Sequence, residues 1–165
     1  MVKHGIKDGR VILVSSTVGL MGMVGYSQYS PTKWAIRGLA ECLRQEFILY
    51  SIKVHVYFVA TIESPGFAAE TKTKPSITKA IEGSENTDKS PKARALALIE
   101  GIRKEQFMIA SDWMTDIFRV AAIGITPRNF LIKDFILLLL SWILLPIWRM
   151  YADYLVRKER KVKSQ

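Results

Sequence analysis

The sequence predicts an α/β fold with a parallel sheet, and three features of the chain support that class. Val11–Val14 is a short, fully apolar run of the kind that forms a buried parallel strand. Ile52–Val59 is a second strand-length segment, and a helical pattern lies between the two. The uncharged run Phe135–Trp148 follows near the end of the chain. We therefore expect a partial parallel sheet followed by a C-terminal hydrophobic helix.

The composition limits the classes of function. With 165 residues the chain can hold one sizeable core, and its single cysteine excludes an intrachain disulfide. The formal net charge is +9, but the basic residues form no single stripe interleaved with aromatic residues. Positive charge that flanks an apolar segment is instead common on the cytosolic side of membrane proteins. We therefore expect membrane lipid as a partner and no nucleic acid.

A hydroxyl group and a Tyr/Lys pair follow the first strand. That strand ends at Ser15 and Ser16, and a loop containing three glycines comes next. A helix is predicted from Ser27 to about Tyr50, and it carries Tyr29 and Lys33. Residues four apart lie on one face of a helix, one turn from each other. Functional groups of open α/β sheets gather beyond the carboxyl ends of the strands, where these side chains would meet.

This trio suits proton transfer to a carbonyl or alcohol oxygen. A nearby ammonium, here Lys33, favours the ionised form of a phenol such as Tyr29. Tyr29 can then act as a general acid or base, while Ser16 orients the same oxygen. A lone Tyr and Lys at this spacing occurs on many helices as a solvated face. The combination with a strand, a serine and a glycine-rich loop is much less frequent by chance.

The segment Gly9–Glu41 resembles the second half of the short-chain dehydrogenase/reductase family. That family has a serine, a tyrosine thirteen residues on and a lysine four further, a spacing that Ser16, Tyr29 and Lys33 fit. The resemblance implies the C-terminal half of a Rossmann-like domain plus a membrane helix. It implies these three as catalytic residues, with Tyr29 and Lys33 also contacting the cofactor, and no metal.

The segment after the second strand extends the resemblance. Thr61 and Ile62 stand at the family's nicotinamide-contacting positions, although Val59-Ala60 replaces the usual Pro-Gly before them. Glycine permits backbone angles that alanine resists, so this departure bears on the cofactor geometry. Residues 61–83 are similar to the 3-ketodihydrosphingosine (3-dehydrosphinganine) reductase subgroup. That similarity implies NADPH as cofactor and a long-chain keto-sphingoid base, 3-ketodihydrosphingosine, as the substrate reduced to dihydrosphingosine.

The resemblance covers only part of a complete enzyme. The family's phosphate-binding turn, ribose-selecting residue and catalytic asparagine would all lie before Met1, so we expect a truncated chain. It would expose an edge strand and be poorly soluble. Two other functions stay open. One is a non-catalytic membrane interaction remnant that pairs with full-length subunits, and the other is a membrane-bound reductase of a different lipid or steroid ketone. A homo-oligomer is also open.

Four further elements are predicted between the second strand and the hydrophobic tail. Residues 67–88 form either a substrate lid, which includes a short helix over Pro75–Ile81, or a solvated loop. A helix begins with Ser90 as its cap and runs to about Lys104, and its apolar stripe is Ala95, Leu98, Ile99 and Ile102. A last strand covers Gln106–Ala110.

We interpret His55, in the second strand, as a structural strand residue, not a catalytic one.

The hydrophobic region suggests a membrane location. We divide the chain into a truncated α/β domain (1–112), a membrane-associated region (113–151) and a basic cytosolic tail (152–165), which we expect to be disordered from Arg157. Phe135–Trp148 has 14 residues, fewer than the roughly 20 that a spanning helix needs. It is therefore a short or re-entrant span, an interfacial helix or a buried helix of an oligomer. The final residues, KVKSQ, resemble a retrieval signal, which implies the endoplasmic reticulum membrane with the catalytic part facing the cytosol.

Overall fold

A computed structural model describes residues 8–82 and 88–163, with one sheet layered against helices. The elements in chain order are β1 (Arg10–Ser16), a 3-10 turn (Thr17–Gly19), α1 (Ser30–Ile48), β2 (Lys53–Val59), α2 (Pro65–Thr73), α3 (Ser76–Glu82), α4 (Pro91–Arg103), β3 (Met108–Ala110), α5 (Trp113–Ala122) and α6 (Leu131–Lys163).

The three strands form a parallel sheet in the order β1-β2-β3. Strand β2 is central, and its residues Val54–Phe58 are all buried. The sequence prediction of an α/β fold with a parallel sheet is therefore confirmed. Strand β1 pairs only with β2 among the described strands, and its side chains Ile12 and Val14 are 40% and 50% exposed. This open edge matches the exposed strand that the sequence led us to expect.

Helix α5 belongs to the core of the α/β unit. Its N-cap residue is Asp112, whose side chain accepts a hydrogen bond from the Thr115 amide at 2.9 Å. Its residues Ile117, Phe118 and Val120 are buried, and the helix packs on β3. The sequence-based boundary at residue 113 stays a prediction, but the packing joins residues 113–122 to the sheet.

Two helices differ from the sequence prediction. Helix α2 occupies the first part of the segment that we expected to be a lid or loop with a short helix only over Pro75–Ile81. The Ser64 side chain accepts a hydrogen bond from the Phe67 amide at 3.1 Å, and Pro65 takes the first helical position, which tolerates a missing N–H. Helix α4 has its predicted cap, but it buries Arg94 and Gly101, whereas Ile99 of the predicted stripe is 60% exposed.

Helix α6 is longer than the 14-residue run on which the sequence argument rested. It spans 33 residues and, within the described part of the chain, it is the one helix long and apolar enough to cross a membrane. The residues from Arg157, expected to be disordered, continue the helix to Lys163, because Lys, Arg and Glu are good helix formers. Residues 83–87 of the predicted lid and 164–165 of the predicted retrieval signal lie outside the described residues.

Candidate active site

A cavity of about 750 Å³ opens at the carboxyl edge of the sheet. It lies where functional groups of open α/β sheets are expected. Its walls come from the ends of β1 and β2, the loop before α1, helices α2 and α3, and the facing sides of α5 and α6. Among the residues predicted from the sequence, the cavity is lined by Ser16, Tyr29, Thr61 and Ile62.

The two serines at the end of β1 have different surroundings. Ser16 lines the cavity. Ser15 is buried, and its hydroxyl donates a hydrogen bond of 2.9 Å to the carbonyl oxygen of Lys33 on α1. Successive strand side chains point to opposite faces, so only one of the two can reach the cavity. Ser15 therefore fixes α1 against β1, and Ser16 is available for substrate.

Tyr29 and Lys33 are adjacent at the start of α1. Tyr29 is the N-cap residue, 43% exposed, and the Lys33 Nζ atom lies 5.3 Å from the centre of its ring. Lys33 also donates a hydrogen bond of 3.4 Å to the carbonyl oxygen of Val14. The buried Ser30 hydroxyl donates to the Val18 carbonyl oxygen at 2.5 Å. These contacts hold the start of α1 over the end of β1.

Two glycines let the loop after β1 approach its neighbours. A Cβ atom at Gly19 would collide with the Ser15 hydroxyl and lie 3.0 Å from the Lys33 carbonyl oxygen. Gly25 has a φ of +88° and lies against the Thr78 side chain of α3. The Thr78 hydroxyl donates to the carbonyl oxygen of Val24 at 3.1 Å. The glycine-rich loop is therefore packed between α1 and α3.

The backbone after β2 is held in place from β3. The Ala60 amide donates a hydrogen bond of 2.9 Å to the Ser111 hydroxyl. The described non-glycine residues with positive φ do not include Ala60, so alanine fits here without backbone strain. Alanine in place of the family's glycine therefore imposes no strain on the backbone that leads to Thr61 and Ile62. The buried Arg94 side chain donates to the Thr61 carbonyl oxygen at 3.2 Å and forms a 2.7 Å ion pair with Asp112.

Arg94 connects this turn with the base of α4. The Tyr57 hydroxyl donates a hydrogen bond of 2.8 Å to the Arg94 carbonyl oxygen. Burial raises the pKa of Tyr57 to about 12, against the opposing effect of the positive Arg94. Tyr57 therefore stays neutral near pH 7. The sequence analysis missed this network, because a charged residue on a helix is normally expected to face solvent.

A charged cluster closes the side of the cavity formed by α2 and α3. The Tyr26 hydroxyl donates hydrogen bonds to Glu82 and, at 3.2 Å, to Glu70. The Lys74 ammonium, with 4% of its side chain exposed, lies 2.7 Å from Glu82 and 3.0 Å from Glu70. Residues 67–82 therefore form a helical wall of the cavity, and the opening of this wall as a substrate lid stays a prediction. We name these four residues the lid cluster.

The lid cluster holds its proton donors in the protonated state. Burial raises the pKa of Tyr26, and the hydrogen bond to Glu82 raises it further. Burial alone would lower the pKa of Lys74, but its hydrogen bonds to Glu82, Tyr26 and Glu70 raise it overall. Tyr26 thus stays a neutral phenol and Lys74 a cation around neutral pH. The raised pKa makes each of these two groups a weaker acid than usual.

The other end of the cavity is apolar. It is lined by Met114 and Phe118 of α5 and by Trp148 of α6. The rings of Phe118 and Trp148 meet edge to face, with centroids 5.2 Å apart. His55 is not among the residues that line the cavity; it is buried, and its Nδ1 lies 2.7 Å from the Gln106 carbonyl oxygen. It holds β2 and the start of β3 together, as the structural interpretation requires.

Comparison with known proteins identifies the family. Residues 1–75, which contain Ser16, Tyr29, Lys33, Thr61 and Ile62, match the family model described as short chain dehydrogenase. A 3-ketodihydrosphingosine reductase of Cryptococcus neoformans var. neoformans serotype D is 39% identical over 166 residues, covering 100% of this chain. The chain belongs to the short-chain dehydrogenase/reductase family. Membership in this family implies a nicotinamide cofactor.

Other relatives within the short-chain dehydrogenase/reductases agree. A 3-ketodihydrosphingosine reductase of Dictyostelium discoideum is 39% identical over 137 residues, 83% of this chain. A 3-dehydrosphinganine reductase of Danio rerio is 51% identical over 73 residues, 44% of this chain and 22% of that protein. The chain covers 49% of the Cryptococcus protein and 41% of the Dictyostelium protein. It therefore spans about half the length of these curated relatives.

A solved short-chain dehydrogenase from Novosphingobium aromaticivorans is also similar to this chain. The match has a TM-score of 0.46 and 19% sequence identity, and it covers 97% of this chain and 51% of that chain.

Within the described residues, no group of three or more His, Cys, Asp or Glu side chains is arranged to hold a metal ion.

Proposed function

We propose that this chain carries the catalytic centre of an NADPH-dependent reductase that converts 3-ketodihydrosphingosine into dihydrosphingosine. One observation carries the proposal: Ser16 and Tyr29 line a single cavity, and the Lys33 ammonium lies 5.3 Å from the Tyr29 ring. The names of the Cryptococcus and Dictyostelium relatives support this substrate. Because the chain spans about half of those proteins, the activity is assigned to an enzyme of which this chain supplies one part.

Each residue of the trio has a separate task in this reaction. Ser16 donates a hydrogen bond to the carbonyl oxygen of the substrate and so orients it at the cavity wall. Tyr29 gives its phenolic proton to the alkoxide oxygen that develops there. The Lys33 ammonium stabilises the negative charge that Tyr29 acquires, because opposite charges attract strongly in a partly desolvated site. Ser15 and Ser30 hold these groups in register through their hydrogen bonds between β1 and α1.

The residues of the cavity fit the nicotinamide end of the cofactor. Thr61 and Ile62 line the same cavity as Tyr29. The backbone at these positions is held by the hydrogen bond from the Ala60 amide to Ser111 and by the hydrogen bond from Arg94 to the Thr61 carbonyl oxygen. Lys33 supplies a cation for the ribose of the nicotinamide nucleoside. When bound, the cofactor supplies the hydride for the ketone carbon. The choice of NADPH over NADH rests on the resemblance to the sphingoid-base reductases.

Helix α6 supports an interfacial attachment to a membrane. Its outward side chains include Phe135, Trp142 and Met150, which are 58%, 67% and 72% exposed. Near its start, the buried Asp134 forms an ion pair with Arg119 at 2.6 Å, and near its end Glu159 accepts a hydrogen bond from Ser76 at 3.0 Å. Both ends of the helix therefore contact the domain, although they are about 38 Å apart along the helix axis.

A helix fixed at both ends cannot be surrounded by lipid, so the interfacial alternative fits better than a single span. The exposed cations Lys133, Arg149, Arg157 and Lys158 outnumber the exposed acid Asp153 on this helix. Such a helix, apolar on its outer face and basic at its ends, is attracted to anionic lipid surfaces. We assign the endoplasmic reticulum membrane, with the cavity on the cytosolic side, from the resemblance to the sphingoid-base reductases.

A chimera tests the proposed substrate and cofactor without requiring a complete enzyme from this chain alone. The matched segment of the Cryptococcus reductase is replaced by this chain, and product formation is measured by mass spectrometry. We expect reduction of 3-ketodihydrosphingosine with NADPH and much slower reduction with NADH or with a steroid ketone. A folded chimera that prefers the steroid ketone would favour the alternative membrane reductase. The unmodified Cryptococcus enzyme is the positive control.

A further inference from the structure

A second, smaller recess adjoins the catalytic cavity. It measures about 260 Å³ and lies between α5, α6 and the loop that follows the 3-10 turn. Its lining is apolar except for one side chain: Leu20, Met21, Phe118, Ala121, Ala122, Leu145, Trp148 and Arg149. We name this recess the α5–α6 groove. Leu20 and Phe118, which are 5% and 6% exposed, form its floor.

The groove shares a wall with the catalytic cavity. Met21, Phe118 and Trp148 line both spaces, so the same side chains border the cavity on one side and the groove on the other. The three side chains are flexible or stacked apolar groups, without a charged group among them. An alkyl chain that extends from the apolar end of the cavity into the groove would therefore displace these apolar side chains and meet no ionised one.

The chemistry of the groove excludes a polar occupant. Its one charged lining residue, Arg149, has its guanidinium engaged elsewhere: it donates to the Gly22 carbonyl oxygen at 3.2 Å and pairs with Asp153 at 3.4 Å. On α5 the groove is bordered by two alanines, and these small side chains leave it open. A space of this size and shape admits an alkyl chain, whereas it is too small for a helix from a second protein, which is about 10 Å across.

We propose that the α5–α6 groove is the binding subsite for the alkyl tail of the substrate. The reacting head group would lie near Tyr29, and the tail would pass Phe118 and Trp148 to lie between α5 and α6. Because α6 is also the proposed membrane-facing helix, the groove would bring the tail to the lipid surface from which the substrate comes. This inference rests on the proposed function for its choice of ligand.

Tryptophan fluorescence tests this subsite without turnover. In the 165-residue chain, Trp34, Trp113 and Trp142 are each replaced by Phe, so that Trp148 is the one remaining tryptophan and can be excited selectively at about 295 nm, where the tyrosines absorb little. The probe is dihydrosphingosine with a bromine on its terminal carbon, used below the concentration at which it forms micelles. We expect saturable quenching of Trp148, and weaker quenching by an isomer with bromine on carbon 4. Shortening the chain should weaken binding about fourfold per CH₂ removed from the groove.

A blocking variant separates the groove from general adsorption. Ala121→Phe fills the groove from an exposed position on α5, and Ala95→Phe on the exposed face of α4 is the matched control. Circular dichroism verifies that both variants are folded. We expect Ala121→Phe to abolish saturable quenching and Ala95→Phe to retain it. Quenching that does not saturate, or that persists in Ala121→Phe, would overturn the subsite.

A second probe distinguishes this inference from the proposed function. A terminally brominated fatty alcohol shares the alkyl tail and lacks the amino-diol head group of dihydrosphingosine. If it quenches Trp148 and loses that effect in Ala121→Phe, while the chimera fails to reduce 3-ketodihydrosphingosine, the tail subsite stands and the reductase assignment falls. If the chimera is active and neither probe quenches, the reductase assignment stands and the subsite falls.

Discussion

The Lys33 ammonium lies 5.3 Å from the centre of the Tyr29 ring. This relationship combines two properties of the sequence, the spacing of four residues and the position of both residues at the start of α1. Because α1 begins directly above the end of β1, the pair lies at the edge where Ser16 reaches the same cavity. The geometry supplies a phenol with a cation beside it and a hydroxyl on the wall of the same cavity, which are the groups that the proposed proton transfer to a ketone oxygen uses.

The two neighbouring serines should separate catalysis from stability. Ser15→Ala removes the hydrogen bond from β1 to the Lys33 carbonyl oxygen, which keeps its partner within the helix. We expect a loss of about 0.5–1.5 kcal/mol in the free energy of unfolding, measured by urea denaturation in detergent. Ser16→Ala should leave that free energy within about 0.5 kcal/mol of the parent and lower kcat in the chimera. The reverse pattern would show that Ser15 is the residue that contacts the substrate.

The ion pair between Arg119 and Asp134 should be the main attachment of α6 to α5. Both side chains are buried, and Arg119 contacts the two Asp134 oxygens at 2.6 and 3.2 Å. Arg119→Met leaves an unpaired buried carboxylate, so we expect a loss of about 3–5 kcal/mol in the free energy of unfolding. The double variant Arg119→Met/Asp134→Asn should recover much of this loss. No difference between the single and double variants would contradict a direct coupling.

The contribution of Tyr26 to the stability of the lid cluster should be lost at alkaline pH. The pKa of Tyr26 is raised above its ordinary value of 10.0 by burial and by Glu82, so the folded state holds this proton more tightly than the unfolded state does. Its contribution is therefore complete below pH 10 and decreases as the pH rises from there towards the folded pKa. The raised pKa of Lys74 acts in the same direction.

The Tm difference between the parent and Tyr26→Phe measures this contribution. We expect the difference to be constant from pH 6 to 9 and to shrink above pH 10. Tyr50→Phe, an exposed tyrosine after α1, is the control and should show no such trend. A transition of the Tm difference between pH 6 and 9 would mean that a different group controls the lid.

Membrane attachment should depend on the outward face of α6 and on salt. We expect the chain to float with vesicles that contain anionic lipid and to bind less at high ionic strength, because surface charge is then screened. Trp142→Ser removes an exposed apolar side chain from the membrane-facing side and should weaken binding. Trp113→Ser, which removes another exposed tryptophan at the start of α5, is the matched control. Equal loss in both variants would contradict a specific role for α6.

The sequence predicted the fold class and assembled much of the candidate site because both depend on local patterns. Val54, Val56 and Phe58 alternate with His55 and Tyr57, yet all are buried, since β2 is central in a parallel sheet. The spacing of Ser16, Tyr29 and Lys33 identified residues that the fold brings to one edge. The order of strand, loop and helix was sufficient for these inferences, because Ser16, Tyr29 and Lys33 all lie within one short strand–loop–helix segment.

The lid cluster and the Arg94 network were not predictable in the same way. Lys74 and Glu82 are ordinary charged residues on short helices, and they become a buried cluster only through contact with Tyr26, some 50 residues earlier in the chain. Ile99 was expected in the core of α4, but Gly101 instead lets this helix lie directly on Ile109 of β3. Such long-range packing overrides the local periodicity from which the sequence argument began.

The most direct test of the account is the rate of ketone reduction by the chimera carrying Tyr29→Phe. We predict a fall in kcat of about 10²–10⁴-fold, the range that a general acid contributes, with the KM for 3-ketodihydrosphingosine little changed. Tyr50→Phe, which removes an exposed hydroxyl after the other end of α1, should leave kcat unchanged. A folded Tyr29→Phe chimera that reduces the ketone as fast as its parent would contradict the assignment of Tyr29 as the proton donor.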